Sequence, residues 1–392
     1  MDRGQPVRIM DLRGTYKGGG GPDKTILLSA LKHDAERYFV LVTYLRDPAD
    51  QEFEIEARAQ KMGIDYVDVP DSKLLDWQCV RRLSTLLREH GLRIVHAHDD
   101  KSCLYAFFLK LLNPGVKIMY TCHLYSKYRR DDFASLKSYL AFRVRKAVRY
   151  FLLARAHRPI LAVSEAVRQC LIGEGIRAGE VETLYNGIDV EHWQRKNGNS
   201  VLRRELNLPD DVFLVGTVAR IAYQKDLPTF YRVAAAVKSR VPNACFVIVG
   251  EGEGKLLEGA RREAAQHGVA EFLFFTGHRN DLLDVYASFD LFLMTSISEG
   301  LPNTVLEAMA MEVPVVSTSV DGVPELVLDS RTGFLAEIKD VAKLSDSIVQ
   351  LVSDEEKRTR FSRLGRARIL EIFSFDSRVR KMEQYYDSFA NL

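Results

Sequence analysis

Ten short apolar runs punctuate the chain, separated by longer stretches whose apolar positions recur at helical spacing. VRIM, YFVLVTYL, RIVHAH, KIMYTC and ILAVS lie in the first half, and FLVGTV, CFVIVG, FLFFTG, LFLMTS and PVVST in the second. Runs of four to eight residues rich in Val, Ile and Phe mark parallel strands buried on both faces, and the amphipathic stretches between them supply helical crossovers. Each half therefore reads as a doubly wound α/β domain.

The segment YNGIDVEHWQRKNGNS is polar and lacks periodicity, so the division is expected there, with a new helix starting near Val201. The expected domains are 1–190 and 205–374, joined by a linker over 191–204. The final amphipathic stretch, 375–392, is expected to pack back on the first domain. A length of 392 residues suits two such cores. No repeat or low-complexity segment interrupts them.

Composition removes several function classes. The formal charge is only +2 at pH 7, which gives no global field for nucleic acid. Cys79, Cys103, Cys122, Cys170 and Cys245 are scattered without a C-x-x-C pair, as reduced thiols of a cytosolic protein are, so neither a disulfide framework nor zinc is expected. No stretch of about 18 uninterrupted apolar residues is present, and MDRGQPVRIMDLRG lacks a signal-peptide core, so a cytoplasmic protein is expected.

In open sheets of this kind ligands sit beyond the carboxyl ends of the strands, which makes the residues after each apolar run the candidates. Arg220 ends FLVGTVAR, Lys225 follows in the loop, and Asp226 and Pro228 open a helix as N-cap and first-turn residue. Two cations beside a helix N-terminus suit a pyrophosphate, although each alone is an ordinary loop cation. In ISEGLPNTVLEAMA, Glu299 precedes a helix opening near Pro302 and Glu307 lies about one turn inside it. The N–H groups of Asn303 to Val305 are expected to be free for phosphate, and the Glu307 carboxylate to accept from two ribose hydroxyls. A neighbouring phosphate site argues against a glycosidase carboxylate pair.

Gly18 to Gly21, in GTYKGGGGPDK, permit close backbone approach to a ligand, with Asp23 able to cap the next helix. The loop has neither Walker A nor dinucleotide spacing. His96 and His98 end one strand and His123 another. His, Cys and carboxylates do not otherwise cluster at ligand spacing, so no metal is expected.

Together these residues resemble glycosyltransferase family 4, retaining enzymes of the two-Rossmann GT-B fold. The resemblance rests on the glycine loop, H-A-H and T-C-H, AVSEAV, LYNGID, VGTVARIAYQKD, IVGEGE, FTGHRND and the E-x7-E from Glu299 to Glu307. It implies that Arg220 and Lys225 hold the donor diphosphate, Glu307 the ribose and Glu299 the transferred sugar. It implies that His123 borders the reacting sugar, and that Gly277, His278 and Arg279 read the base. Gly20, Gly21, Gly300, Leu301, Asn303, Thr304 and Val305 complete the implied donor site. No cofactor and no divalent ion are implied, and same-face attack by the acceptor follows from the resemblance alone. The four glycines and Gly-Pro-Asp depart from the family's commoner Gly-Gly loop. A UDP-sugar is the favoured donor and GDP-mannose the alternative, carrying a hexose or N-acetylhexosamine. A sugar-nucleotide epimerase, a transferase acting on a small soluble acceptor and a non-catalytic nucleotide binder remain open.

Between residues 127 and 158 ten Lys or Arg stand against Asp131 and Asp132, with Phe133, Leu136, Tyr139, Leu140, Phe142, Val148, Phe151 and Leu152 interleaved. A basic amphipathic helix of this kind is drawn to anionic lipid, at about 1 kcal/mol per cation near the surface. It suits a lipid-linked or polysaccharide acceptor at the inner face of the cytoplasmic membrane; a solvated face packed on its own domain is the plainer reading, and nucleic acid is not expected.

Overall fold

The computed structural model describes residues 5–15, 20–50, 53–123, 135–156, 158–195, 201–252 and 256–390. It divides into two compact units, Met1–Asn186 with Asp376–Leu392, and Gly187–Phe375. The first holds seven strands: β1 Val7–Gly14, β2 Tyr38–Arg46, β3 Tyr66–Pro70, β4 Ile94–Ala97, β5 Lys117–Cys122, β6 Ile160–Ala162 and β7 Val181–Thr183. They pair in parallel in the order β3-β2-β1-β4-β5-β6-β7. The second holds β8 Phe213–Val218, β9 Ala244–Val249, β10 Leu273–Gly277, β11 Leu291–Met294, β12 Val315–Thr318 and β13 Gly333–Ala336, also parallel, in the order β10-β9-β8-β11-β12-β13. Two doubly wound sheets of this form are the GT-B architecture.

All ten apolar runs form strands. Three strands were not expected: β3, β7 and β13. All three are sheet edges, where one flank is open and a continuous apolar run is not required. Within β3 only Val69 is buried, and within β7 only Val181.

The first core gathers Ile9, Tyr38, Val42 and Leu161 with Met382 and Tyr386 of the helix Phe375–Ala390. Polar contacts hold the same helix: Lys32 with Asp376 at 3.1 Å, Arg37 with Asp387 at 2.8 Å, and the Tyr38 hydroxyl donating to Asp387 at 2.7 Å. Residues 191–204, expected to be a linker, pack where described on the second unit. The N–H groups of Val201 and Leu202 donate to Asp284 at 3.2 and 3.1 Å, and Arg203 reaches the Ser288 carbonyl at 2.9 Å.

The division falls at 186/187, not at 190, because the chain enters and leaves the second unit side by side. Ile188 N–H donates to the Phe373 carbonyl and Phe375 N–H to the Ile188 carbonyl, both at 2.9 Å. A Cβ on Gly187 would lie 2.7 Å from the Phe375 Cα, so this crossing requires glycine.

Strand order reverses between β1 and β4 in one sheet and between β8 and β11 in the other. Those reversals open the crevices where ligands of doubly wound sheets bind.

Candidate functional site

In the second unit, β8 delivers Ala219 and Arg220 to the reversal, and a 3₁₀ turn, Tyr223–Lys225, leads into the helix Leu227–Lys238. Asp226 is its N-cap residue and Pro228 lies in its first turn, but the Asp226 carboxylate accepts from the Thr229 hydroxyl at 2.6 Å and from no backbone N–H at the cap. The expected side-chain cap is therefore corrected: Asp226 has a left-handed φ of 45°, and its carboxylate takes the Thr229 hydroxyl in place of a first-turn N–H. From the end of β11, the Thr295 hydroxyl donates to the Lys225 carbonyl at 2.9 Å and Ile297 N–H to the Gln224 carbonyl at 2.8 Å. These bonds stitch the two loops around a small recess lined by Val218, Ala219, Lys225, Thr295, Ser296 and Thr304.

Gly250 presses against the same place. Its φ is +140°, its N–H donates to the Gly277 carbonyl at 2.8 Å, and a Cβ there would lie 2.1 Å from the Ala219 carbonyl oxygen. Only glycine lets the end of β9 come this close to the residue before Arg220.

Arg220 is exposed. Lys225 and Glu299, 74 residues apart, form a mostly shielded ion pair at 2.6 Å. Asp321 sets the Glu299 backbone by accepting from its N–H at 2.9 Å and from the Ser298 hydroxyl at 3.2 Å.

Gly300 and Leu301 are buried ahead of the helix Asn303–Ala310, which carries Glu307 one turn in. Glu307 is itself buried and its Oε2 accepts from the Tyr286 hydroxyl at 2.8 Å. Burial and that carboxylate hold the Tyr286 phenol well above its ordinary pKa, so it stays a donor. One expectation fails here: Val305 N–H is not free, because the first turn closes tightly and gives it the Pro302 carbonyl at 3.1 Å. Asn303 and Thr304 head the helix.

At the end of β10, His278 N–H donates to Glu251 at 3.3 Å. The Arg279 guanidinium is held by Glu205 and Asp281.

In the first unit, register makes a cluster that the sequence does not display. Parallel pairing of β1 with β4 sets Asp11 beside His96. Asp11 Oδ1 then lies 3.0 Å from His96 Nδ1 and 3.3 Å from His98 Nε2. His96 Nε2 meets the Thr121 hydroxyl at 2.7 Å, and His98 Nδ1 meets His123 Nε2 at 3.1 Å. Asp11, His96 and His98 bring one ligand atom each within 4.8 Å of one another, which corrects the expectation that carboxylate and histidine do not cluster. Their separations are hydrogen-bond lengths, and the donors are turned on one another.

Burial works against the Asp11 anion, yet hydrogen bonds from His96 and His98 prevail and hold it well below the usual carboxylate range. Burial pushes His98 down to about 3, and it pushes His123 far below its ordinary value with help from His98, Arg13 and Arg378. Both rings are neutral at pH 7.

Gly20 and Gly21 start the helix Gly21–Lys32. Asp23 sits inside its first turn and reaches back to Gly20 N–H at 2.5 Å, while its other oxygen takes the Tyr44 hydroxyl at 2.7 Å and lies 3.1 Å from Arg13 Nε. Gly18 and Gly19 lie outside the described residues. Sequence reasoning missed Asp11, Tyr286 and Asp321. An acid inside the apolar run VRIMDL was a signal for Asp11; nothing local marked the other two.

Both halves of the chain match known proteins. Residues 24–192 match the family described as Glycosyltransferase Family 4, and residues 199–368 match Glycosyl transferases group 1. An Escherichia coli UDP-Gal:alpha-D-GlcNAc-diphosphoundecaprenol alpha-1,3-galactosyltransferase is 25% identical over 320 residues, covering 80% of each chain. A Mycobacterium tuberculosis GDP-mannose-dependent alpha-mannosyltransferase is 32% identical over 213 residues, 53% of this chain and 52% of that one. The crystal structure of Anabaena HepE in complex with UDP superposes with a TM-score of 0.83 at 20% identity, covering 97% of this chain and all of the other. With its two halves matched in order by the two family descriptions, the chain belongs to glycosyltransferase family 4 and is a glycosyltransferase.

Proposed function

We propose that the protein is a retaining transferase that moves a hexose or N-acetylhexosamine from a nucleoside diphosphate sugar, preferentially a UDP-sugar, to a lipid-linked or polysaccharide acceptor. The observation that carries this reading is the recess at the β8/β11 reversal, lined by Ala219 just before Arg220, by Lys225 and by Thr304 at the head of the Asn303–Ala310 helix, which bears the buried Glu307. Departure of a nucleoside diphosphate builds negative charge on its β-phosphate. Arg220, Lys225 and the N–H of Asn303 oppose that charge, while Glu307, oriented by Tyr286, accepts from the ribose.

The Lys225–Glu299 pair gives the donor an exchange to make. Phosphate oxygens take over Lys225, and Glu299 turns to hydroxyls of the sugar. In this reading two side-chain cations do the neutralising, so EDTA leaves turnover unchanged; loss of activity on chelation, restored by a divalent metal, refutes that point. The uridine preference leans on the Escherichia coli relative, whose name specifies UDP-Gal, and the Mycobacterium tuberculosis relative keeps GDP-mannose in the panel.

The test is a thermal-shift panel of UDP, GDP and ADP with their sugars. A ligand at 100 times its dissociation constant adds about 2.7 kcal/mol of stability. Arg220→Ala and Lys225→Ala are expected to abolish the shift; full binding in both overturns the site.

On the acceptor side, the helix Leu136–Ala156 supports membrane docking. Lys127, Arg129, Arg130 and Phe133 lie outside the described residues. Lys146, Arg149 and Arg158 serve their own unit, paired with Glu174, Asp100 and Glu180. Leu136, Leu140, Val144, Val148 and Phe151 are between 44% and 63% exposed and share one side of the helix, within an arc of about 120°. Of the exposed cations, Lys137 and Arg155 fall within that arc, Arg143 borders it and Arg145 lies about 60° beyond it. Apolar side chains interspersed with cations fit an anionic lipid surface at the inner face of the cytoplasmic membrane. Among the described residues no helix is long and apolar enough to cross a membrane. The protein is expected to float with phosphatidylglycerol vesicles at low salt and not with phosphatidylcholine, and Leu140→Ser with Val144→Ser to weaken flotation several-fold; indifference to both vesicle types removes this half of the proposal.

A further inference from the structure

The turn that follows β12 carries a side chain where its backbone favours none. Val323 N–H donates to the Val320 carbonyl at 2.8 Å, which makes Asp321 and Gly322 the central residues of a four-residue turn ahead of the short helix Val323–Leu326. Asp321 has a positive φ of 41°, and Gly322 has φ −79° and ψ 0°. Those signs belong to a type II′ turn, whose first central position glycine takes freely and an aspartate takes under strain. The chain puts its glycine one place later.

Strained backbone persists where its surroundings over-determine it, and it gathers at sites that hold a ligand. Here the carboxylate shows what the strain serves. Asp321 Oδ2 accepts from the Glu299 N–H at 2.9 Å and from the Ser298 hydroxyl at 3.2 Å, 22 and 23 residues away along the chain. It ties the loop after β12 to the loop after β11 at the residue that forms half of the Lys225–Glu299 pair. Lys225 has its own counterpart, because the next residue, Asp226, is also an aspartate at positive φ.

Glu299 is therefore held twice, through its side chain by Lys225 and through its backbone by Asp321. Donor phosphates remove the first hold when they take over Lys225. A carboxylate on a loop then wanders unless the backbone beneath it stays fixed, and ordering it afresh at each binding event costs affinity. The second hold remains throughout.

We propose that Asp321 is a positioning residue for recognition of the donor sugar: it keeps the Glu299 backbone in place after Lys225 has turned to phosphate, so that the Glu299 carboxylate stands ready for the sugar hydroxyls. The sugar as the partner of Glu299 rests on the donor reading above. The tether does not, and it is measured without any ligand.

The experiment uses the full chain and Asp321→Gly, which suits the turn and removes the carboxylate. Amide hydrogen exchange at Glu299 should become about tenfold faster, the size of one hydrogen bond, with β8 unchanged. Asp321→Asn tolerates the turn, keeps an oxygen to accept from Glu299 N–H and should restore the protection. Calorimetry then compares UDP-glucose with UDP, or GDP-mannose with GDP if the thermal-shift panel selects that pair. Asp321→Gly should bind the bare diphosphate as the wild type does and lose about tenfold for the sugar nucleotide, which Asp321→Asn recovers. In a Glu299→Ala background Asp321→Gly should change neither affinity, since it acts through Glu299 alone.

Unchanged exchange in Asp321→Gly, an equal loss of both ligands, or a further loss on top of Glu299→Ala overturns the proposal. Failure of Asp321→Gly to fold does so too, because a turn that prefers glycine would then need the carboxylate for the fold itself. A wild type that binds no sugar nucleotide brings down the donor reading and the sugar with it, while exchange at the Glu299 amide still decides the tether.

Discussion

The two sheet reversals are built from the same topology and left in opposite chemical states. At β1/β4 the side chains answer one another: Asp11, His96, His98 and Thr121 form a buried network that His123 joins through His98. At β8/β11 the groups are charged, and the recess is stitched together by backbone carbonyls and Thr295. A closed network sets its own geometry before any ligand arrives. A charged recess suits a ligand that brings its own charge, because exchanging one ion pair for another avoids stranding a bare ion.

The largest expected effect separates the two reversals by charge. Arg220→Ala should lower turnover by roughly 10²-fold or more, as loss of one preorganised donor to a developing anion does. Thr121→Val in the other network should change it far less; steady-state kinetics on both variants decide, and comparable losses would erase the distinction. Next comes the backbone that shapes the charged recess. Gly250→Ala places a Cβ against the Ala219 carbonyl at a left-handed φ, and should cost the second unit about 1–3 kcal/mol in calorimetry while weakening UDP binding.

The smallest effect is in pH. His98 has a folded pKa of about 3 against 6.5 for the free side chain, and His123 is also depressed, so the unfolded chain takes up these protons first as pH falls. Stability from both is complete above pH 6.5 and is lost towards lower pH, at no more than ~1.4 kcal/mol per pH unit for each ring. Asp11, also depressed, adds its loss only below the ordinary carboxylate range. Between pH 7 and 5 the calorimetric transition of the first unit should therefore move further than that of the second. The reverse order would mean that the histidines are charged in the folded protein.

The charged reversal was legible in the sequence and the neutral one was not, for a physical reason. Glu299 and Glu307 lie on one continuous loop and helix, and Arg220 and Lys225 on another, so spacing alone brings each pair near its strand end. The Asp11 network depends on which strands are neighbours and in what register, and neither is written in the local pattern. The partners that hold functional groups suffer the same way: Tyr286 under Glu307 and Asp321 behind Glu299 come from distant segments. Strands divide along the same line. Every interior strand, and the edge strand β10, advertises itself with a continuous apolar run, whereas β3, β7 and β13 are edges without one. Val305 was read as an open phosphate donor because pattern shows that a helix starts, and not how tightly its first turn closes.

The return of the helix Phe375–Ala390 to the first core also sets an order of events during synthesis. The seven strands of that core are complete by Thr183, yet Met382 and Tyr386, which seal it against Ile9 and Tyr38, leave the ribosome only about 200 residues later. At ~5–20 residues per second the nascent first unit waits roughly 10–40 s with that side of its core uncovered. The first unit is thus finished only after the whole of the second has been made, and removing the helix Phe375–Ala390 leaves a core open that was built about 200 residues earlier.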